Sequence, residues 1–327
     1  MLYFLTGATG FVGGALARHL RTAGHSVRAL VRDPSRAGDL AAAGVELHVG
    51  DVTDKASMRA PMTGADGVFH VAGWYKVGVR DRTTAVGINI DGTRHVLELM
   101  RELGVPKGVY TSTLAVNSDT RGRVVDEDFE FRGRHMSIYD ETKAEAHRIA
   151  KQFAAEGLPL VIVQPGLIYG PGDTSSIGTL FRRYLQRKLP VIPAESAFSW
   201  AHVDDEAQGH MLAMERGKPG RNYFLAGPVH TIVDALAIAQ AITGIPAPRI
   251  HVPRGVMQAT ASFVGLFDQW VALPPEYTAE GLRVAGGVTY LGTADRAERE
   301  LGWHRRPLRE GLETTLRHEM QSLGMHP

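Results

Sequence analysis

The side chains best placed to do chemistry in this 327-residue chain are Tyr139 and Lys143, four residues apart, with the hydroxyl pair Ser112-Thr113 upstream. On a helix, positions i and i+4 share one face. An ammonium beside a phenol stabilises the phenolate and lowers its pKa from about 10 toward neutral. Such a phenol can give a proton to a carbonyl oxygen, or take one from a hydroxyl, while a hydride moves at the neighbouring carbon. A hydroxyl at the end of the preceding strand could share the reacting oxygen. The spacing alone is cheap, because Tyr184 and Lys188 show it too. That second pair follows a cluster of helix breakers with no Ser/Thr-ended strand before it, and reads as a surface helix.

Two elements must hold these groups: a strand at Gly108–Ser112 and a helix at Ile138–Glu156. A third feature says what lies beside them. The apolar run Leu2–Thr6 leads straight into Gly7-Ala8-Thr9-Gly10-Phe11-Val12-Gly13, followed by a helical pattern over Phe11–Ala23. Gly7 permits the tight turn, Gly10 lets backbone approach a pyrophosphate, and Gly13 lets the helix pack on the strand. The helix N-terminus offers free N–H groups to phosphates. Gly7, Thr9, Gly10, Phe11, Val12 and Gly13 are therefore candidate dinucleotide contacts. Lys143 could also hold the nicotinamide ribose.

The second strand, Ser26–Val31, ends where an NAD-binding unit usually carries an acid for the ribose. Here the position holds Val31, and Arg32 follows, with Arg36 close by. A guanidinium can bind a 2′-phosphate through two parallel hydrogen bonds, which a carboxylate would repel. NADP(H) is the expected cofactor. The alternative is a solvated Arg32 with Asp33 serving NAD, although Asp33 before Pro34 also reads as a turn or cap. Asp51 and Val52 after the third strand, Val71, Ala72 and Gly73 after the fourth, and Thr111 in the fifth are further candidate contacts. Taken singly, such positions are more often plain strand termini.

Short β-rich runs at Leu2–Thr6, Ser26–Val31, Val45–Val49, Gly67–Val71, Gly108–Ser112 and Leu160–Gln164 alternate with helical stretches, the clearest at Phe11–Ala23, Thr84–Leu103 and Ile138–Glu156. Alternation of this kind demands crossovers, hence an α/β fold with a parallel sheet covered on both faces. Pro165-Gly166 and Tyr169-Gly170-Pro171-Gly172 break the rhythm. Beyond them helices are expected at 177–187, 204–216, 232–243, 256–271, 294–301 and 308–323, with an extended piece at 223–226. The expected organisation is a dinucleotide domain at 1–170 and a smaller, mainly substrate-binding domain at 171–327, some of whose segments return to the first.

Lys plus Arg number 36 and Asp plus Glu 35, so the net charge of +1 makes no case for nucleic acid or anionic membrane as partner. Arg296, Arg299, Arg305, Arg306 and Arg309 gather near the C-terminus, but acids interleave with them, as on a solvated face. There is no cysteine, which excludes disulfides, thiolate catalysis and cysteine-ligated metals. The 14 histidines show no ligand spacing, and no metal is expected. With no leader and no long apolar run, the expectation is a soluble, cytoplasmic protein.

Together these features resemble the extended short-chain dehydrogenase/reductase family, over nearly the whole chain. The residues that carry the resemblance are Thr6–Gly13, Asn89-Ile90-Asp91-Gly92-Thr93, Tyr110-Thr111-Ser112-Thr113, Tyr139/Lys143, Tyr169-Gly170-Pro171-Gly172 and His202-Val203-Asp204-Asp205. Within the family the chain is similar to dihydroflavonol-4-reductase-like proteins and hopanoid-associated sugar epimerases, and Val31-Arg32-Asp33-Pro34 looks like the NADP-selecting stretch of the reductases. The resemblance implies a doubly wound Rossmann sheet and a catalytic Thr113, with Ser112 mainly structural. It also implies that Pro165, Gly166 and Leu167 line the nicotinamide, and that helices near 84–103 and 138–156 build a homodimer. Leu114-Ala115 follows Thr113 where nucleotide-sugar dehydratases carry Asp-Glu. Asn117-Ser118 stands where sugar epimerases often carry an aromatic residue and glycine.

The leading expectation is an NADP(H)-dependent reductase or dehydrogenase acting on a small carbonyl or secondary alcohol. The alternative is a sugar or nucleotide-sugar epimerase in which hydride leaves and returns to one substrate. A non-enzymatic NADP sensor fits less well with an intact Thr/Tyr/Lys set. Trp74 and Tyr75 could roof the site. Met257, Phe263, Phe267, Trp270 and Leu273 form an apolar stripe that reads first as core and second as a lid over a hydrophobic substrate.

Overall fold

The computed structural model describes residues 1–78, 81–266 and 278–325. Seven strands form the main sheet: β1 (Leu2–Thr6), β2 (Ser26–Val31), β3 (Glu46–Val49), β4 (Gly67–His70), β5 (Gly108–Thr111), β6 (Leu160–Pro165) and, after three strands outside it, β10 (Asn222–Leu225). The three others are β7 (Leu167–Tyr169), β8 (Val191–Pro193) and β9 (Ala197–His202). The main sheet runs β10-β6-β5-β4-β1-β2-β3 with every pairing parallel.

Side chains alternate across this sheet, so each strand feeds two cores. Leu5, Val109, Val161 and Val163 face a layer completed by Leu16 and Leu20 of the Phe11–Thr22 helix and Ala207 and Ala213 of the Val203–Arg216 helix. Phe4, Val68, Leu160 and Ile162 face the other, with Met58, Val96, Met100 and Ile149. This is the expected doubly wound α/β sheet. The extended piece expected at 223–226 is β10, which pairs with β6 and lengthens the main sheet. The C-terminal arginines are mostly paired with acids, as in Arg306–Asp205 at 2.6 Å and Arg305–Glu298 at 2.8 Å.

A third core gathers Tyr169, Phe181, Trp200, Leu236, Leu312 and Leu316. It underlies small sheets that β7, β8 and β9 form with β11 (Val229–Thr231), β12 (Ile250–Val252) and β13 (Thr289–Tyr290). Tyr184 belongs to this core: it is buried and donates to Ile245 O at 2.6 Å, so the surface helix expected there is corrected. Its phenol is needed for packing.

Two helices depart from expectation. The one expected over 84–103 is interrupted by wide π-helical turns at Val86–Asp91, between Thr83–Ala85 and Gly92–Glu102. Asn89 lies within these turns, buried, and spends its amide on tertiary hydrogen bonds; such bulges frequently mark functional sites. The other, Arg254–Val264, buries only Ala261, while Phe263 is 64 % exposed. The core reading therefore fails for Phe263, while Met257 of the same helix is half-buried. Phe267, Trp270 and Leu273 lie outside the described residues.

Candidate active site

The turn after β1 is built from backbone in contact with backbone. Gly7 has φ +77°, and a Cβ there would lie 2.6 Å from Ala72 N. A Cβ on Gly13 would lie 2.1 Å from Gly7 O. Gly10 caps the following helix without a side-chain cap, and Thr9 and Gly10 are exposed while Phe11 and Val12 are half-buried. The 12-residue helix thus starts at an exposed turn with no side chain on its first N–H groups, as pyrophosphate binding requires. The turn also touches the end of β4, where Ala72 N–H donates to Thr6 Oγ1 at 3.2 Å. Val71, Ala72 and Gly73 are thereby brought beside Gly7.

Arg32 and Arg36 are exposed at the end of β2, and among the described residues neither guanidinium is paired. Asp33 accepts from Ser35 N at 3.0 Å and Ser35 Oγ at 2.6 Å, which caps the turn Pro34–Arg36. Asp51 is similarly engaged, taking Thr53 N–H and Oγ1 at 2.8 Å each, and Val52 is buried with its carbonyl on His95. Both acids serve local turns.

At the same end of the sheet, Tyr139 and Lys143 stand on the Ile138–Ala155 helix, capped by Ser137 Oγ on Asp140 N–H at 3.1 Å. Tyr139 is half-buried and lies near the Thr113 hydroxyl. Burial pushes the phenol up to about 12, with Thr113 opposing. Lys143 Nζ donates to Thr111 O at 2.8 Å and Tyr110 OH at 3.2 Å, and burial drops it to about 7. The expected lowering of the phenol by the ammonium is thus corrected. Burial disfavours the charged form of each. Thr111 contributes its carbonyl here, because its hydroxyl points to His210 Nε2 at 2.8 Å. Ser112 turns away to His147 Nδ1 at 2.9 Å.

Sequence reasoning missed the polar chain behind Lys143. Thr6 Oγ1 meets His70 Nδ1 at 2.8 Å, His70 Nε2 meets Thr93 Oγ1 at 3.1 Å, and His70 stacks on Tyr110 with ring centroids 5.5 Å apart. Burial lowers His70 to about 3, so the imidazole is neutral. Asn89 was in a recognised motif without a role. Its Oδ1 accepts Trp74 N–H at 2.7 Å, and its Nδ2 donates to Trp74 O and Thr142 Oγ1 at 3.0 Å each. Trp74 is buried and Tyr75 is 60 % exposed.

Gly166 packs its backbone against β9, where a Cβ would lie 2.2 Å from Ser199 O, and this places Pro165, Gly166 and Leu167 at the β6–β7 junction. From the C-terminal segment Tyr290 reaches the same region, its hydroxyl donating to Asp140 Oδ2 at 2.9 Å. Burial raises Asp140 to about 7. No group of three or more metal-capable side chains occurs among the described residues, and no helix among them is long and apolar enough to cross a membrane.

Residues 3–226 match the model of the NAD dependent epimerase/dehydratase family. The chain is 32 % identical over 322 residues to a putative dihydroflavonol 4-reductase of Synechocystis sp., covering 95 % of this chain and 92 % of that protein. It is 31 % identical over 312 residues to the 4-hydroxy-2-methyl-3-oxo-4-farnesyl-3,4-dihydroquinoline-1-oxide ketoreductase of Stigmatella aurantiaca, covering 93 % and 92 %. The crystal structure of gox2253 superposes with a TM-score of 0.85 at 30 % identity over 99 % of both chains. A glycine turn that only bare backbone can fill, a tyrosine–lysine helix beside it and these likenesses along the full chain agree: the protein is an enzyme of the extended short-chain dehydrogenase/reductase type and belongs to the NAD-dependent epimerase/dehydratase family.

Proposed function

We propose that the protein is an NADP(H)-dependent reductase of a small ketone or aldehyde, with Tyr139 as general acid. The observation that carries this reading is Tyr139 near the Thr113 hydroxyl, on the helix whose Lys143 is anchored to Thr111 O, with a phenol that burial holds protonated at neutral pH. A protonated phenol is ready to donate to a carbonyl oxygen, the step that reduction needs. Thr113 orients the hydroxyl and can donate to the same oxygen. Lys143, held by Thr111 O and Tyr110, has a charged form that favours the phenolate left after transfer. The bound nicotinamide would supply the hydride. Gly7, Gly10 and Gly13 would admit its pyrophosphate, and Pro165 to Leu167 would line its ring.

The choice of NADP rests on the unpaired Arg32 and Arg36 and on an Asp33 committed to Ser35. In the same reading, residues 1–170 hold the dinucleotide and 171–327 mainly the substrate, with Val203–Arg216 and β10 serving the first sheet. A cytoplasmic homodimer through helices 84–103 and 138–156 completes it. Ketones, aldehydes and sugar nucleotides, assayed with NADPH and NADH in parallel, test the proposal. Stoichiometric NADPH consumption, lost in Tyr139→Phe, is expected. Preference for NADH would remove the role given to Arg32, and turnover with no net NADPH consumption would favour epimerisation.

A further inference from the structure

The neighbours Ser112 and Thr113 point to different partners, and what lies beyond Ser112 is a second polar space. A cavity of about 180 Å³ is lined by Asn117, Glu127, His147, Lys151, Gln164 and Asn222, among others. The acids around it already have partners. Glu127 accepts Phe224 N–H at 2.9 Å and lies 3.6 Å from Arg296, Asp128 is 3.0 Å from Arg296, and Glu130 is 3.1 Å from Arg132.

The donors are differently placed. Asn117 is 5 % exposed and its Nδ2 has no hydrogen-bond partner. The Lys151 ammonium, close enough to depress the His147 imidazole, is unpaired among the described residues. His147 pairs its Nδ1 with Ser112 Oγ and also lines the space. A buried donor left unmatched costs about 1–3 kcal/mol. The cavity also exceeds the roughly 30 Å³ share of one water.

We infer that this cavity is a binding site for a small oxyanion, a carboxylate or phosphate, held by Asn117 Nδ2 and the Lys151 ammonium beside His147. Burial, with the Lys151 and Lys143 charges, lowers His147 to about 3, so the ring contributes hydrogen bonding and no charge. Gln164, which also lines the cavity, donates to Thr113 O at 3.4 Å. The site therefore adjoins the strand end that carries the reactive hydroxyl while remaining separate from Tyr139.

The test is NMR on the full chain saturated with its nicotinamide dinucleotide, which blocks the phosphate-attracting turn at Gly10. Inorganic phosphate and malonate are titrated at constant ionic strength, with chloride as control, and the His147 ring resonance is assigned by its loss in His147→Gln. A saturable shift with phosphate or malonate is expected, weakened about tenfold in Lys151→Met and abolished in Asn117→Asp. No saturable shift, an equal shift with chloride, or unchanged affinity in Lys151→Met overturns the proposal. Lys151 is exposed, so its variant keeps the test decisive if Asn117→Asp fails to fold.

Discussion

The glycine turn and the Arg254–Val264 helix stand at opposite extremes of how a protein can shape a site. The turn works by having no side chains: Gly7 and Gly13 sit where a Cβ would fall 2.6 and 2.1 Å from neighbouring backbone. The helix works by having them, with Val256 and Phe263 at 54 % and 64 % exposure. The turn cannot gain a side chain without backbone meeting backbone. The helix already carries exposed apolar side chains, whose size can differ without that clash.

The sharpest test of the rigid end is its chemistry. Tyr139→Phe should lower kcat/KM by about 10²–10⁴ with an unchanged circular dichroism spectrum, as loss of a positioned general acid does; full retained activity would dismiss the proposed role. Gly13→Ala should follow, costing at least about 1–3 kcal/mol in urea unfolding because backbone, not a flexible side chain, blocks the new methyl. A Gly13→Ala protein as stable as the parent would deny the contrast. Arg32→Ala should raise KM for NADPH by roughly tenfold or more and leave KM for NADH alone, since hydrogen bonds to charged groups are worth about 1.5–3 kcal/mol.

On the Arg254–Val264 helix, Phe263→Ala should raise KM for apolar ketones with little effect on kcat. If KM for every substrate stays put, the lid reading is lost. A further effect is pH-dependent. Glu206, on the helix packed against Phe11–Thr22, is fully buried with both carboxyl oxygens unpartnered, and burial, then Asp205, raises it well above 4.5. The folded chain therefore keeps a proton that the unfolded chain releases above about pH 4.5. Its contribution is complete below that pH and is lost as pH rises through the folded value. Glu206→Gln should accordingly match the parent in Tm near pH 4 and exceed it at pH 8; equal pH profiles would refute this.

The rigid end was also the legible one. β1 and β2 begin and end where the sequence places them, because a short apolar strand, a glycine turn and a 3.6-period helix are all local signals. Asp33 was readable as a cap from its place before Pro34. The small strands β7, β9, β11 and β13 were not, since each acquires its identity from a partner elsewhere in the chain. Lys143 was legible as a residue but not as an environment. Its partners Thr111 and Tyr110 lie 32 and 33 positions away, and burial, which no spacing reports, decides its protonation. The same omission explains why charge attraction alone gave the wrong direction for Tyr139.

One amide joins the two descriptions. Asn89 grips Trp74 on both its N–H and its carbonyl and Thr142 on the Ile138–Ala155 helix, all from a single rigid plane. Site geometry must hold to within about 0.5 Å for productive chemistry. Here that tolerance is set like a calliper, with one jaw on the exit of β4 and the other on the helix of Tyr139.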